Sequence, residues 1–167
     1  MFRFKCRTCD EWHEGVPHLG AAAPLYYYAI SEEERDHRCD LGSDTCVIDD
    51  EFFFVRGNIE IPVEGLQQTF AWGVWASLSK TNFQEYLSNY DDPSRGLLGP
   101  YFGWLSAALP SYPDTENLKT SVHPLEPGLR PLIELEPTDH PLSIEQRCGI
   151  DQGRLAEIYE ISLHQNG

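Results

Sequence analysis

Cys6-x-x-Cys9 followed by His13 is the strongest chemical pattern in the chain. Two thiolates separated by two residues can bind one ion while the backbone turns between them. His13, with three residues between it and Cys9, can close the same face. Zinc prefers four such soft or borderline ligands in a tetrahedron. Candidates for the fourth are Cys46, Cys39, His18 and His140, with Cys46 preferred because it opens a strong β segment and would tie the knuckle to a sheet. The competing reading of Cys-x-x-Cys is a redox pair. A redox pair precedes a helix in a βαβ unit, and no such unit follows here. A site closed by four protein ligands is structural and one left open to water is catalytic. The spacing does not separate these two.

Other reactive residues give weaker patterns. Asp139 and His140 form an adjacent pair that could support a metal or a catalytic step, although a helix cap with a packed histidine explains them as well. His123 reads as a loop residue, His37 as solvated and Cys148 as a helix-end thiol. There is no Gly-x-Ser-x-Gly elbow, no HExxH, no P-loop and no Gly-x-Gly-x-x-Gly before a helix. The case for an enzyme is weak, and Asp139 and His140 are its only helper candidates.

These residues must be positioned by short elements, because Pro and Gly punctuate the whole chain. Residues 1–20 read as a metal-binding knuckle or hairpin. Leu25 to Ile30 reads as a strand, and Glu32 to Cys39 as a helical turn with Ser31 as its cap and Glu34 completing a capping box. Thr45 to Val63 carries the strongest β signal, divided into strands at about 45–56 and 59–63 by a turn or bulge at Gly57-Asn58. Phe70 to Leu78 alternates with period two, as a half-buried strand does. Ser79 reads as the cap of a helix over Lys80 to Tyr90, with Phe83 and Leu87 inward. Tyr101 to Leu109, Leu118 to Val122 and Arg130 to Leu135 read as further strands or buried turns. Asp139 is the expected cap of a helix at 141–147 beginning near Pro141. Asp151 is the expected cap of a last helix with Leu155, Ile158, Tyr159 and Leu163 as its stripe. Trp72 and Trp75 would face opposite sides of their strand; the preferred reading is that both are core, and the alternative is that one lies at the surface as part of a binding patch. Trp104 belongs to the same aromatic set. The expected class is α+β: one domain over residues 1–167, an antiparallel sheet with helices on one face and the N-terminal knuckle packed on it.

With 167 residues and 41% hydrophobic composition a real core is available. The charge balance is lopsided: 12 Lys and Arg against 27 Asp and Glu give a net charge of −15. Phosphate backbones and anionic membranes repel such a surface, so nucleic acid and membranes are not expected partners. Residues 32–51 hold Glu32, Glu33, Glu34, Asp36, Asp40, Asp44, Asp49, Asp50 and Glu51 against only Arg35 and Arg38. This excess serves solubility, or it steers a basic partner, in which case Glu32, Glu33, Glu34, Asp36 and Asp40 would meet that partner. No run approaches the roughly 18 apolar residues a membrane span needs, and MFRFKCRTCDEWHEG has no apolar signal core. The expected location is the cytoplasm, where reduced cysteines favour metal binding over disulfides.

The stretches CRTCDEWHEGVP, SDTCVIDDEFFFVRGNIEIPV, FAWGVWASLSKTNF, GPYFGWLSAALPSYPDTENLKT, GLRPLIELEPTDHPLSIEQR and GIDQGRL resemble an uncharacterised bacterial family, domain of unknown function 2199. The resemblance implies Cys6, Cys9, His13 and Cys46 as a set, with His140 next. It lowers the odds of Cys39 and Cys148 as ligands. The family pattern carries Gly where this chain has Asp10 and Asp50, which puts the geometry of two turns in question. Two functions follow as expectations. The first is a binding or inhibitory module with a structural zinc, of immunity or regulatory type, acting on a basic protein. The second is a hydrolase in which an open zinc activates water.

Overall fold

The structure is a computed structural model, described over residues 1–165. Two short strands, β1 (Arg3–Lys5) and β2 (Trp12–Glu14), pair antiparallel as a separate ribbon with Phe4 opposite His13. The chain continues through β3 (His18–Gly20), α1 (Leu25–Tyr28), α2 (Glu32–Arg38), β4 (Cys39–Leu41), β5 (Thr45–Ile48), β6 (Phe52–Ile61) and β7 (Phe70–Leu78). It then forms α3 (Lys80–Ser88), a 3-10 turn (Arg95–Leu97), β8 (Tyr101–Leu105), β9 (Lys119–His123), β10 (Leu132–Leu135), α4 (Pro141–Cys148) and α5 (Gln152–Leu163).

Eight strands join in the order β3-β7-β8-β9-β10-β6-β5-β4, and β6 also pairs with β7. That second pairing closes β6, β7, β8, β9 and β10 into a five-stranded barrel, leaving β3 on one side and β5-β4 on the other as extensions. The α+β class is as expected, but the sheet is not a simple antiparallel one. Besides closing on itself, it has two parallel contacts, β3 with β7 and β10 with β6. Closure needs the β10 backbone to come unusually near β6. A Cβ on Gly57 would stand 2.6 Å from Pro131 O and 2.8 Å from Ile133 Cδ1. Gly57 is therefore a close-approach residue inside a continuous strand, not a turn. The hairpin turn lies earlier, at Asp49-Asp50, where both residues have positive φ (54° and 51°), as a primed two-residue turn requires.

The period-two pattern of β7 puts Phe70, Trp72, Val74, Ala76 and Leu78 into the main core with Val55, Ile59 and Ile61 of β6. The opposite face carries a second cluster of Ile30, Cys46, Ile48, Phe54 and Trp75. Trp72 and Trp75 are thus both buried, and the surface tryptophans are Trp12 and Trp104. The second cluster also explains the one segment of wrong type. Leu25 to Tyr28 is a helix rather than a strand, started by Pro24 at φ −65° and held by Tyr26 and Tyr27 packing on that cluster. Tertiary burial overrides the β preference of three tyrosines.

Cap positions shift by small amounts. Ser31 Oγ donates to Glu34 Oε2 at 3.0 Å instead of capping backbone. Ser79 and Asp151 cap α3 and α5 as expected, but α4 is capped by His140, not Asp139. On α3 the inward residues are Phe83 and Tyr86, while Leu87 is exposed. Among the described residues, no helix is long and apolar enough to cross a membrane.

Candidate metal centre

The ribbon of β1 and β2 exists to present its tip. Cys6 N donates to Glu11 O at 2.8 Å and Asp10 N donates to Cys6 O at 3.0 Å, closing a tight loop around Arg7, Thr8 and Cys9. Asp10 takes φ 60°, a left-handed conformation that glycine adopts without strain. Thr8 N lies 3.4 Å from Cys6 Sγ as a donor, and the Cys9 backbone N–H points to the same sulfur. Backbone donors converging on the first sulfur of a Cys-x-x-Cys turn favour a thiolate there.

Helix α5 covers this loop from the other end of the chain. Glu160 and His164, four residues apart, project from one face of it. Glu160 is 8% exposed and its carboxylate accepts from Arg7 N at 2.9 Å, from Thr8 Oγ1 at 3.4 Å and from Arg7 Nε at 3.4 Å. His164 Nε2 lies 3.2 Å from Cys6 Sγ. The ligand atoms of Cys6, Cys9 and His164 fall within 4.8 Å of one another. His13 comes from the flank: its Nε2 is 3.4 Å from Cys9 Sγ, and its ring is held between Phe4 and Tyr159, with both centroids 5.5 Å away. A tetrahedral zinc with Zn–S near 2.3 Å and Zn–N near 2.05 Å sets S···N at about 3.5 Å and S···S at about 3.8 Å. The two S···N separations, 3.2 and 3.4 Å, are close to the S···N value, while His13 stands outside the mutually close group of Cys6, Cys9 and His164; the donors are of the type zinc takes.

Burial raises the Cys6 thiol, but the backbone N–H groups of Cys9 and Thr8, with the His164 ring and Cys9, outweigh it and bring its pKa down to about 6. For Cys9 the Glu11 backbone N–H lowers the pKa, yet desolvation and the neighbouring Cys6 sulfur push it above the ordinary thiol value overall. The backbone donors thus favour ionisation of Cys6 over Cys9, and a bound cation would draw off the proton that the pair retains.

The structure brings Cys6 and Cys9, both singled out from sequence, together with His164, which sequence reasoning missed; His13 reaches Cys9 from the flank but lies outside that close group. It does not bring Cys46 to them. Cys46 is in β5, fully buried within the second cluster, and burial pushes its thiol up to about 12, so that it stays protonated. Cys39 is half-buried in β4 and His18 is exposed on β3. His140 is engaged at both ring nitrogens: Nδ1 accepts from Leu142 N at 3.1 Å, which leaves Nε2–H to donate to Asp114 O at 3.0 Å. Asp139 is exposed beside it, and neither belongs to the cysteine cluster. Glu32, Glu33, Glu34, Asp36 and Asp40 are all exposed on α2 and β4. Among the described residues, only Glu32 and Glu34 of these five have an ion-pair partner, Arg35 at 4.0 Å and Arg38 at 3.4 Å.

The profile of an uncharacterised bacterial family (DUF2199, uncharacterized protein conserved in bacteria) matches residues 5–150, and the chain belongs to that family. Cys6, Cys9 and His13 lie inside the matched segment, whereas Glu160 and His164 lie beyond it. Comparison with curated proteins and with solved structures finds no match.

Proposed function

We propose that this member of the family is a partner-binding protein, in which a structural zinc on Cys6, Cys9, His13 and His164 fastens the N-terminal ribbon to α5 and an acidic edge receives a basic protein. The observation that carries the binding role is the character of the β4 edge. β4 ends the sheet, so its outer backbone groups are unpaired, and α2 and the Asp49-Asp50 turn surround it with carboxylates. A concavity of about 470 Å³ there is lined by Asp36, Asp40, Asp49 and Asp50, with Arg38 as its one guanidinium. Arg38 is already bidentate to Asp49, at 2.9 and 2.8 Å. Glu33, Asp36, Asp40 and Asp50 are left to project a negative field, which speeds encounter with a basic surface and makes the complex salt-sensitive. The metal's structural role is supported by its bracing: Glu160 holds the loop, and Phe4 and Tyr159 hold His13.

The test is capture from the native host at low salt, with wild type beside the triple variant Glu33→Lys, Asp36→Lys, Asp40→Lys. The expected result is one basic protein in about equal amount, released by high salt and missing with a variant that melts like wild type. Recovery of no basic protein, or its retention by the variant, would sink the reading.

A second reading, an open-site zinc hydrolase, draws on one observation: only three ligand atoms form the mutually close group. If His13 stayed outside, water would take the fourth position and zinc would activate it. X-ray absorption separates the two, because two sulfurs with two imidazoles favour the structural site and two sulfurs with one imidazole and an oxygen favour the open one.

A further inference from the structure

Strand β6 changes partner along its length. It pairs with β5 up to Thr45↔Val55 and meets β10 at Leu132↔Asn58. Between those points its edge bonds only to the loops: Arg56 N donates to Asp44 O at 2.9 Å and Asn58 N donates to Pro131 O at 3.0 Å. The two loops diverge from there, and between them and α3 lies a cavity of about 450 Å³, within the range of small-molecule sites. Its lining includes Asp44, Asn58, Tyr86, Tyr90, Arg95 and Arg130.

The lining has the opposite sign to the molecule. On a chain of net charge −15, two guanidiniums here face one carboxylate. Arg95 is 4% exposed and donates only to backbone carbonyls, those of Leu125, Tyr90, Glu126 and Leu129 at 2.6 to 3.1 Å. Its charge is thus solvated by dipoles and paired with no acid among the described residues, an arrangement that burial makes costly unless an anion joins it. Arg130 gives Nε to Asp44 Oδ1 at 3.1 Å, and its two terminal nitrogens donate to nothing among the described residues. Tyr90 Oη donates to the other Asp44 oxygen at 3.2 Å. Desolvation opposes ionisation of Asp44, but the bonds from Arg130, Ser43 and Tyr90 prevail and hold it below the usual carboxylate range. Asn58 Oδ1 is buried and accepts no hydrogen bond from the described residues, so it is an acceptor that needs a donor.

We infer that this cleft binds a small organic anion, a carboxylate or phosphate monoester that also carries a hydroxyl or amino group. The anion meets the free donors of Arg130 in the field of Arg95, and the hydroxyl or amino hydrogen satisfies Asn58 Oδ1 once the amide turns its buried oxygen into the cleft. The Tyr86 and Tyr90 rings wall the carbon skeleton. This site is independent of the metal and of the acidic edge.

The test is titration of the full chain with glycerol 3-phosphate, lactate and inorganic phosphate, with glycerol and sodium chloride at matched ionic strength as controls. Binding is read by calorimetry and by amide and Arg Nε shifts in two-dimensional NMR. Saturable binding of glycerol 3-phosphate or lactate is expected, with shifts at Arg95 Nε, Gly128 and Leu129. Arg130→Gln should weaken it about tenfold or more, the scale of one charge-assisted contact. Asn58→Leu should remove the preference of the site for glycerol 3-phosphate over inorganic phosphate. No saturation with any anion, or shifts mapping elsewhere in the wild type, would overturn the inference even if the variants fail to fold. So would equal binding by a folded Arg130→Gln.

Discussion

Glu160 is the residue through which α5 holds the metal loop, and its removal has a calculable effect. Glu160→Ala deletes the acceptor of Arg7 N at 2.9 Å and of Thr8 Oγ1 at 3.4 Å. The ion pair to Arg7 Nε contributes almost nothing, since the Arg7 side chain is 80% exposed and solvent screens it. A charge-assisted bond to one backbone N–H that is only part-buried leaves about 1.5 kcal/mol of destabilisation. For a chain of this size that lowers Tm by roughly 3–6 °C. Glu160→Gln keeps a carbonyl oxygen for Arg7 N and should cost about a third as much. Because the loop carries two of the four ligands proposed for zinc, zinc affinity should fall by about 10- to 100-fold in the alanine variant, the usual scale for groups that orient ligands. The assay is thermal melting with and without chelator, paired with competition against a chromophoric chelator. The gap between wild type and Glu160→Ala should narrow once metal is stripped. An alanine variant that melts and binds zinc like wild type would refute the reasoning, as would a glutamine variant that is equally damaged.

Three further outcomes are expected. Asp50→Gly relieves a left-handed residue at φ 51° and should stabilise the protein by about 0.5 kcal/mol, less than the full strain because glycine also loosens the unfolded chain; paired thermal melts would read this. Gly57→Ala places a Cβ 2.6 Å from the Pro131 carbonyl, which must push β10 off β6 and cost about 2–3 kcal/mol by denaturant titration. Zinc affinity should fall as pH falls across the neutral range, because the raised Cys9 thiol must lose its proton on binding, and should fall more steeply below about 6, where Cys6 takes up a proton as well. In the metal-free protein the same folded pKa, depressed from the ordinary thiol value, means that stability from this thiolate is complete above that value and is lost as pH falls towards 6. Melts across pH and stopped-flow zinc release check both.

The legible parts of this fold are those whose signal is local. The alternation of Phe70 to Leu78 is a property of one strand, and Asp151 caps α5 through its own third neighbour. Cys6 and Cys9 converge, with His13 beside Cys9, because a single hairpin joins them. The barrel is different: its closing contact, β10 with β6, is parallel and rests on a single register pair, with no local pattern. Gly57-Asn58 resembles a turn dipeptide, and only the passing Pro131 backbone shows why glycine is needed inside a strand. Asp10 and Asp50, where the resemblance implies glycine, were informative in another way, since both sit at positive φ. His164 stayed hidden because it follows the apolar stripe of a helix distant in sequence from the knuckle. Its one available signal was the Glu160–His164 spacing, which puts an acid and an imidazole on one helical face. Cys46 misled because a cysteine opening a strand suits a tether, yet the alternation of β5 turns it into the second core.

Metal content tests the proposed site most directly, measured by elemental analysis of protein purified without added metal. Cys6→Ser, His164→Ala and Cys46→Ser would be prepared beside the wild type. The expected result is about one zinc per chain in wild type and Cys46→Ser, lost in Cys6→Ser and His164→Ala. Absence of zinc from wild type, or its loss in Cys46→Ser while His164→Ala retains it, would contradict the assignment of the site.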